Sequence, residues 1–190
     1  MSREPGDPSD NALVALSLAG QDRAFAEIVC RHREALYRIA VASLGNADDA
    51  LDAVQDSFVA AHTALRRFDG TRPLRPWLAA IALNRCRDLA RRRRVRRFLA
   101  FALPMDGTVE SVALDMPSAE TAAADREELD RTVEAIANLP AALREPLILH
   151  ALTGLSQAET AQTLKISEKA VETRLRRARQ ELRSILGLLK

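Results

Sequence analysis

The sequence predicts an all-α protein, with two small helical domains joined by a flexible acidic linker. Hydrophobic residues make up 47% of the chain but aromatic residues only 4%. Any core is therefore built from Ala, Leu, Val and Ile. Ala and Leu are strong helix formers, whereas strands favour β-branched and aromatic residues.

The charge pattern supports the same division. Two basic segments, 75–97 with nine arginines and 165–190 with eight lysines or arginines, flank the stretch 104–134, which holds nine acids. Clusters of Lys and Arg on helices are the electrostatic footprint of phosphate binding. The net charge of +2 therefore conceals two cationic modules, which predicts contact with nucleic acid at two places.

Length and composition limit the class of protein. A chain of 190 residues is long enough for two small cores, and the predicted domains are 10–97 and 125–190, with a linker at 98–124. No apolar run reaches the roughly 18 residues of a membrane span, and the polar N-terminus lacks a signal-peptide core, so we expect a cytoplasmic protein. Cys30 and Cys86 are expected to be buried small hydrophobic groups, with a redox switch as the alternative.

Four helices are predicted before the linker, from apolar spacing at i, i+3 and i+4 and from capping residues. Their predicted bounds are Asp10–Ala19, Asp22–Leu44, Asn46 (as N-cap) to about Leu65, and a fourth helix that begins near Leu74. The third helix is expected to bury Leu51, Val54, Phe58 and Ala61. Turn-forming residues from 68 to 73 predict a loop before the fourth helix.

The third and fourth helices carry opposite charges. The polar face of the third is acidic and consists of Asp48, Asp49, Asp52, Gln55 and Asp56. This face is either simply solvated or a docking site for a basic or polar protein. The fourth helix carries Arg85, Arg87 and the run 91–94 beside Trp77 and Phe68, and aromatic rings next to arginines suit the unstacked bases of single-stranded nucleic acid.

Three motifs of this region resemble one protein family. Residues 49–58 read DALDAVQDSF, residues 64–70 read ALRRFDG and residues 76–84 read PWLAAIALN. They closely resemble region 2 of extracytoplasmic-function sigma factors, with departures at Pro76 and Ala79. In that family the first motif docks on the clamp helices of the RNA polymerase β′ subunit. The following loop and helix melt and read the minus-ten promoter element.

This resemblance, together with the charge pattern, predicts two sets of site residues. The core-polymerase-binding set is Asp49, Asp52, Gln55, Asp56 and Phe58. The minus-ten set is Phe68, Asp69, Trp77, Asn84, Arg85 and Arg87. Within the second set, the resemblance places Phe68, Asp69 and Asn84 at the pocket that receives a flipped base.

The segment 98–124 loses helical periodicity. It is punctuated by Pro104, Gly107 and Pro117 and contains several acids, which is typical of a flexible linker. A linker of this length spans roughly 25 to 30 Å, enough for two domains to straddle a large partner. Its acidity suits a path along a basic channel and equally suits simple solubility.

The C-terminal part predicts a helix-turn-helix. A helix at 125–138, with Leu129, Val133 and Ile136 on one face, precedes another at 141–152. Ser156 and Glu159 have the spacing of a capping box at the start of a short helix. A three-residue turn from Lys165 to Ser167 then leads to the last helix, in the order of a DNA-binding helix-turn-helix.

The last helix has a buried and an exposed face. Its predicted buried stripe is Val171, Leu175, Ala178, Leu182 and Ile185. Residues in the first turns of such a helix reach base edges in the major groove, where Arg reads guanine. The predicted minus-thirty-five set is Ser167, Lys169, Glu172, Thr173, Arg176 and Arg177. The alternative is a solvated charged helix.

Residues 139–179 are also similar to region 4 of the same family. The start LPAALREPL at 139–147, the core GLSQAETA at 154–161 and the end VETRLRRAR at 171–179 follow the family pattern. The turn departs from this pattern at Lys165, where Gly is common in the family. A left-handed backbone conformation there would cost a non-Gly residue roughly 1 kcal/mol of stability. Region 4 recognises the minus-thirty-five element and binds the polymerase β flap.

The sequence is therefore identified as a member of this sigma factor family, without catalytic residues. The resemblance implies core RNA polymerase, promoter DNA and an anti-sigma factor, often membrane-bound, as partners, and implies no cofactor. The histidines lack metal-ligand spacing, so no metal site is predicted. One alternative is a free-standing helix-turn-helix regulator that binds duplex DNA without polymerase. An enzyme is the third class, but the sequence contains no phosphate loop, metal-ligand or nucleophile motif.

Overall fold

The computed structural model describes residues 8–102 and 120–187. These residues form eight α-helices and no strand, so the all-α prediction is confirmed. The helices are α1 Asp10–Leu18, α2 Asp22–Leu44, α3 Ala47–Ala64, α4 Leu74–Ala102, α5 Glu120–Asn138, α6 Ala141–Leu147, α7 Gln157–Leu164 and α8 Glu168–Ile185. A 3₁₀ turn, Leu65–Arg67, follows α3, and a π-helical segment, Ile148–Leu152, continues α6.

The helix bounds differ from the prediction mainly beside the linker. α4 continues to Ala102 and α5 already begins at Glu120, so both ends of the predicted linker 98–124 are helical. The reason is local, because neither 98–102 nor 120–124 contains a Gly or Pro that would end a helix. The centre of the predicted linker, 103–119, lies outside the described residues.

In the N-terminal domain α3 packs against both α2 and α4, which also contact each other, and it does so through small side chains. Ala50, Ala53, Ser57 and Ala61 are buried, and the Ser57 hydroxyl donates to the carbonyl of Ala53 at 2.5 Å. Small side chains let helices approach closely. The prediction that Leu51 is buried is wrong for this reason: Ala50 occupies the core-facing position.

The C-terminal domain is built around α6, the π-helical segment and α8. Of the predicted stripe of α8, Val171, Leu175 and Ala178 are buried, Leu182 is half-buried, and Ile185 is exposed. Within residues 127–138 of α5, the first buried residue is Ala135. Leu129, predicted to be buried, lies on an earlier turn and is 60% exposed.

The predicted caps are confirmed. Asn46 accepts a hydrogen bond from the backbone of Asp49 at 3.0 Å. Ser156 and Glu159 form both bonds of the capping box, and Ser167 caps α8. Lys165 adopts the left-handed conformation with φ 56°, as the family pattern implies.

The two domains pack against each other. α5 and the π-helical segment contact α2, and α7 contacts α4. Gly45, which ends α2 with φ 68°, lies so close to α5 that a Cβ added there would be 3.1 Å from that of Ala137. One continuous cluster of buried apolar side chains contains residues from both domains.

The two cysteines have different environments. Cys86 is buried, and burial raises the pKa of its thiol to about 11. Cys30 is exposed on α2, so the prediction that both are buried is wrong for Cys30. Among the described residues no helix is long and apolar enough to cross a membrane, and no cluster of His, Cys, Asp and Glu is suited to a metal ion.

Candidate polymerase and promoter interfaces

An apolar groove of about 560 Å³ runs between α2 and α3. Leu51 and Val59 line it and are 59% and 63% exposed. Its lining is Phe25, Val29, Arg33, Leu51, Val54, Gln55, Phe58, Val59, His62 and Thr63. We call this feature the α2–α3 groove.

The predicted core-polymerase-binding residues lie in and beside this groove. Asp52, Gln55 and Asp56 are exposed on α3 at i, i+3 and i+4, hence on one side of the helix. Phe58 lines the groove but is only 7% exposed, so its ring also belongs to the core. The α2–α3 groove thus combines apolar lining with acidic neighbours.

Asp49 differs from the other members of that set. It is half-buried and forms an ion pair with Arg93 of α4. Its carboxylate therefore joins α3 to α4. Leu51 and Val59 were not predicted to be surface residues of a site. The signal in the sequence is that both lie off the helix face formed by the small residues Ala50, Ala53 and Ala61.

The predicted minus-ten residues in the loop before α4 form an ordered group. The rings of Phe68 and Trp77 have centroids 5.1 Å apart. Asp69 accepts hydrogen bonds from the Thr71 hydroxyl at 2.7 Å and backbone N–H at 3.0 Å. These bonds lower the pKa of Asp69, and Arg72 lies 3.3 Å from its carboxylate. The loop and the first turn of α4 therefore present a pair of aromatic rings together with a fixed carboxylate.

The remaining minus-ten residues lie on α4. Asn84 is exposed and Arg85 half-buried, and Arg87 Nη1 donates to Asn84 Oδ1 at 2.9 Å. The same guanidinium donates to both carboxylate oxygens of Glu145 in α6, at 2.6 and 2.5 Å. The structure thus brings Asn84 and Arg87 together, and adds a residue from the other domain that sequence reasoning did not connect to them.

The predicted minus-thirty-five residues share the start and outer face of α8. Ser167 caps the helix through the Ala170 N–H at 3.2 Å. Lys169 pairs with Glu172 at 2.8 Å, which lowers the pKa of that carboxyl. The Thr173 hydroxyl donates to the Lys169 carbonyl at 2.9 Å. Beyond these, Arg176 and Arg177 are exposed and present guanidinium groups to solvent.

Comparison with known proteins matches both domains. The family described as Sigma-70 region 2 matches residues 28–96, and the family described as Sigma-70, region 4 matches residues 129–182. These segments cover more than half of the chain and lie in the two domains described above.

Individual relatives agree. The RNA polymerase sigma factor CnrH of Cupriavidus metallidurans is 44% identical over 184 residues, 95% of each chain. The ECF RNA polymerase sigma factor SigM of Mycobacterium tuberculosis is 33% identical, over 95% of this chain and 86% of SigM. The solved structure of CnrH in complex with the cytosolic domain of CnrY matches with a TM-score of 0.72 and 36% identity, over 96% of this chain and 100% of that chain.

These matches decide between the classes that the sequence left open. A region 2 domain is not expected in a free-standing helix-turn-helix regulator, so the match to that family argues against this alternative. Sigma factors are transcription initiation factors and not enzymes. They confer promoter specificity on RNA polymerase. The chain belongs to the extracytoplasmic-function sigma factors of the sigma-70 family.

Proposed function

We propose that this sigma factor docks on core RNA polymerase through the α2–α3 groove and the adjacent acidic residues of α3. The supporting observation is the exposure of Leu51 and Val59 in a groove next to Asp52 and Asp56. An apolar surface rimmed by polar residues marks a protein interface. The acidic residues select a partner that carries basic groups. We propose that this partner is the pair of clamp helices of the polymerase β′ subunit.

Two further surfaces read the promoter. The Phe68 and Trp77 rings, with Asp69 and Asn84, receive an unstacked base of the minus-ten element, since aromatic faces stack with bases. The outer face of α8 enters the major groove at the minus-thirty-five element. The C-terminal domain also binds the polymerase β flap.

A protein partner controls access to these surfaces. CnrH, a relative of this chain, has been solved in complex with the cytosolic domain of CnrY. For this chain we propose an anti-sigma factor that covers the α2–α3 groove, membrane-bound as is common in the family, and a cytoplasmic site of action where polymerase and promoter DNA are found.

A pair of matched substitutions tests the docking surface. Leu51→Asp places a charge in the groove, and Leu129→Asp places the same charge at a leucine that is equally exposed on α5. We expect L51D to weaken binding to purified core polymerase at least about tenfold, because an unpaired carboxylate must be desolvated in the complex. L129D is expected to bind like the wild type. Affinity is measured by fluorescence anisotropy of the labelled sigma factor.

Transcription provides the second readout. Run-off assays on a pool of genomic promoter fragments are expected to give transcripts only when polymerase and the sigma factor are both present, with starts that share a two-element sequence. L51D should lose these transcripts while keeping the wild-type melting temperature. Wild-type affinity of folded L51D would contradict docking through the α2–α3 groove.

A further inference from the structure

Glu145 is a carboxylate held between the two domains. It lies in α6 of the C-terminal domain, where its side chain is only 11% exposed, against 48% for Arg87 of α4. Both of its oxygens accept from that guanidinium, at 2.6 and 2.5 Å. A bidentate pair between Arg and a carboxylate is among the stronger polar contacts in proteins, so it fixes α6 against α4.

The contact occupies residues that are assigned to DNA. Arg87 also donates to Asn84, and both belong to the minus-ten set. A guanidinium binds a phosphate with the same planar fork that it offers a carboxylate. Arg87 therefore cannot hold Glu145 and a phosphate with the same N–H groups. The hydrogen bonds to Glu145 also raise the pKa of Arg87, so its guanidinium stays charged.

The rest of the interface brings the C-terminal domain onto the same helix. α7 contacts α4, and Arg75 of α4 approaches Gly154, just before α7, with Nη2 3.9 Å from the position of an added Cβ. α5 and the π-helical segment contact α2. The C-terminal domain thus lies against part of the helix that reads the minus-ten element.

We propose that the Arg87–Glu145 ion pair is an intramolecular latch, which closes the C-terminal domain over α4 and must open when Arg87 binds promoter DNA. Glu145 takes the place of a DNA phosphate in the closed state. This proposal rests on the assignment of Arg87 to the minus-ten element, and it concerns the chain without polymerase or an anti-sigma factor.

Energy transfer between two dyes measures closure in the full chain. Cys30 is exposed and accepts one dye, and Gln180→Cys on the exposed face of α8 accepts the other. Cys86 is buried and stays unlabelled in the folded protein, since a thiol must be deprotonated and accessible to react. Glu145→Gln keeps the shape of the side chain but removes its charge, so we expect lower transfer efficiency than in the wild type.

Asp88→Asn is the matched control. Asp88 pairs with Arg91 at 3.0 Å within α4, so its substitution also removes one carboxylate from an arginine without touching the domain contact. We expect D88N to keep wild-type transfer. Unchanged transfer in E145Q, with its fold verified by circular dichroism, would overturn the latch.

DNA binding tests the competition. We expect E145Q to bind a short labelled oligodeoxythymidine about fivefold more tightly than D88N, which corresponds to roughly 1 kcal/mol. The charge-swapped double variant Arg87→Glu with Glu145→Arg should restore closure but not the gain in DNA affinity. Failure of the swap to restore transfer would overturn the ion pair as the latch.

The energy-transfer and DNA-binding experiments together distinguish failure of the latch from failure of the minus-ten assignment of Arg87. If E145Q opens the domains without any gain in DNA affinity, competition with DNA is overturned, and the minus-ten assignment of Arg87 fails while the closing contact stands. The α2–α3 groove and its binding to polymerase are tested independently by L51D.

Discussion

His32 connects the first two helices through one buried polar contact. Its Nε2 lies 3.0 Å from Oδ2 of Asp10, and its side chain is buried at the start of the N-terminal core. Burial lowers the pKa of His32, and the nearby Asp10 only partly opposes this effect. The histidine is therefore protonated at a higher pH in the unfolded chain than in the folded protein.

This difference predicts a pH dependence of stability. As the pH falls through about 6.5, the usual pKa of histidine, the unfolded chain takes up the proton first, so the free energy of unfolding decreases as the pH falls further. His32→Gln should remove this part of the slope, whereas His62→Gln, at an exposed position of α3, should keep it. Urea titrations at several pH values measure both variants. An H32Q slope equal to that of the wild type would contradict the prediction.

Residue-scale features were predictable where their cause is local. The caps Asn46, Ser156 and Ser167 follow from side chains that reach backbone N–H groups three residues away, and neighbouring helices do not alter that geometry. Leu51 and Cys30 were not predictable in this way. Whether a side chain on an amphipathic helix faces the core or solvent depends on how closely the neighbouring helices approach, which is a tertiary property.

At the scale of elements, α8 combines a buried side with an exposed basic side. Val171, Leu175 and Ala178 fix its rotation against the domain, which leaves Arg176 and Arg177 exposed. Helix type and face were predictable here, because the apolar spacing extends over several turns. The helix ends beside the linker were not predictable, because the sequence there loses its apolar spacing although no Gly or Pro ends the helix at 98–102 or 120–124.

Two arginines of α8 are expected to differ in what they read. Arg176→Ala should change promoter choice, with a loss of about 1–3 kcal/mol of discrimination at one base pair of the minus-thirty-five element. Arg183→Ala, near the end of the helix, should weaken binding uniformly, because phosphate contacts position the protein without specifying sequence. Transcription from a library of minus-thirty-five sequences measures both. Equal losses on all sequences for R176A would make it a phosphate contact as well.

At the scale of the whole molecule, the sequence predicted two domains but not their contact. The charge pattern separates two basic modules, and the acidic stretch between them indicates a linker, yet neither feature contains information about a shared interface. The contact depends on shape, above all on the close approach of the C-terminal end of α2 to α5 at Gly45 and Ala137. An Arg–Glu pair between residues 58 positions apart has no local signature either.

The close approach at Gly45 yields a prediction about domain packing. Gly45 and Gly20 both have positive φ, 68° and 89°, so Ala at either position should cost about 1 kcal/mol of unfolding free energy from backbone strain. The space around them differs: a Cβ at Gly45 meets that of Ala137 at 3.1 Å, whereas a Cβ at Gly20 meets nothing within 4 Å. Of the two substitutions, only Gly45→Ala should therefore also loosen the contact between α2 and α5.

Small-angle scattering and the two-dye distance measure that loosening. We expect G45A to give a larger radius of gyration and lower energy transfer than G20A, although both lose similar stability. Adding Ala137→Gly to G45A removes the opposing methyl group and should return the domain distance toward the wild-type value. If G45A and G20A show the same compactness, the steric contact at Gly45 does not set the packing of the two domains, and the closed arrangement must then depend on the remaining contacts of α2 and α4 with the C-terminal domain.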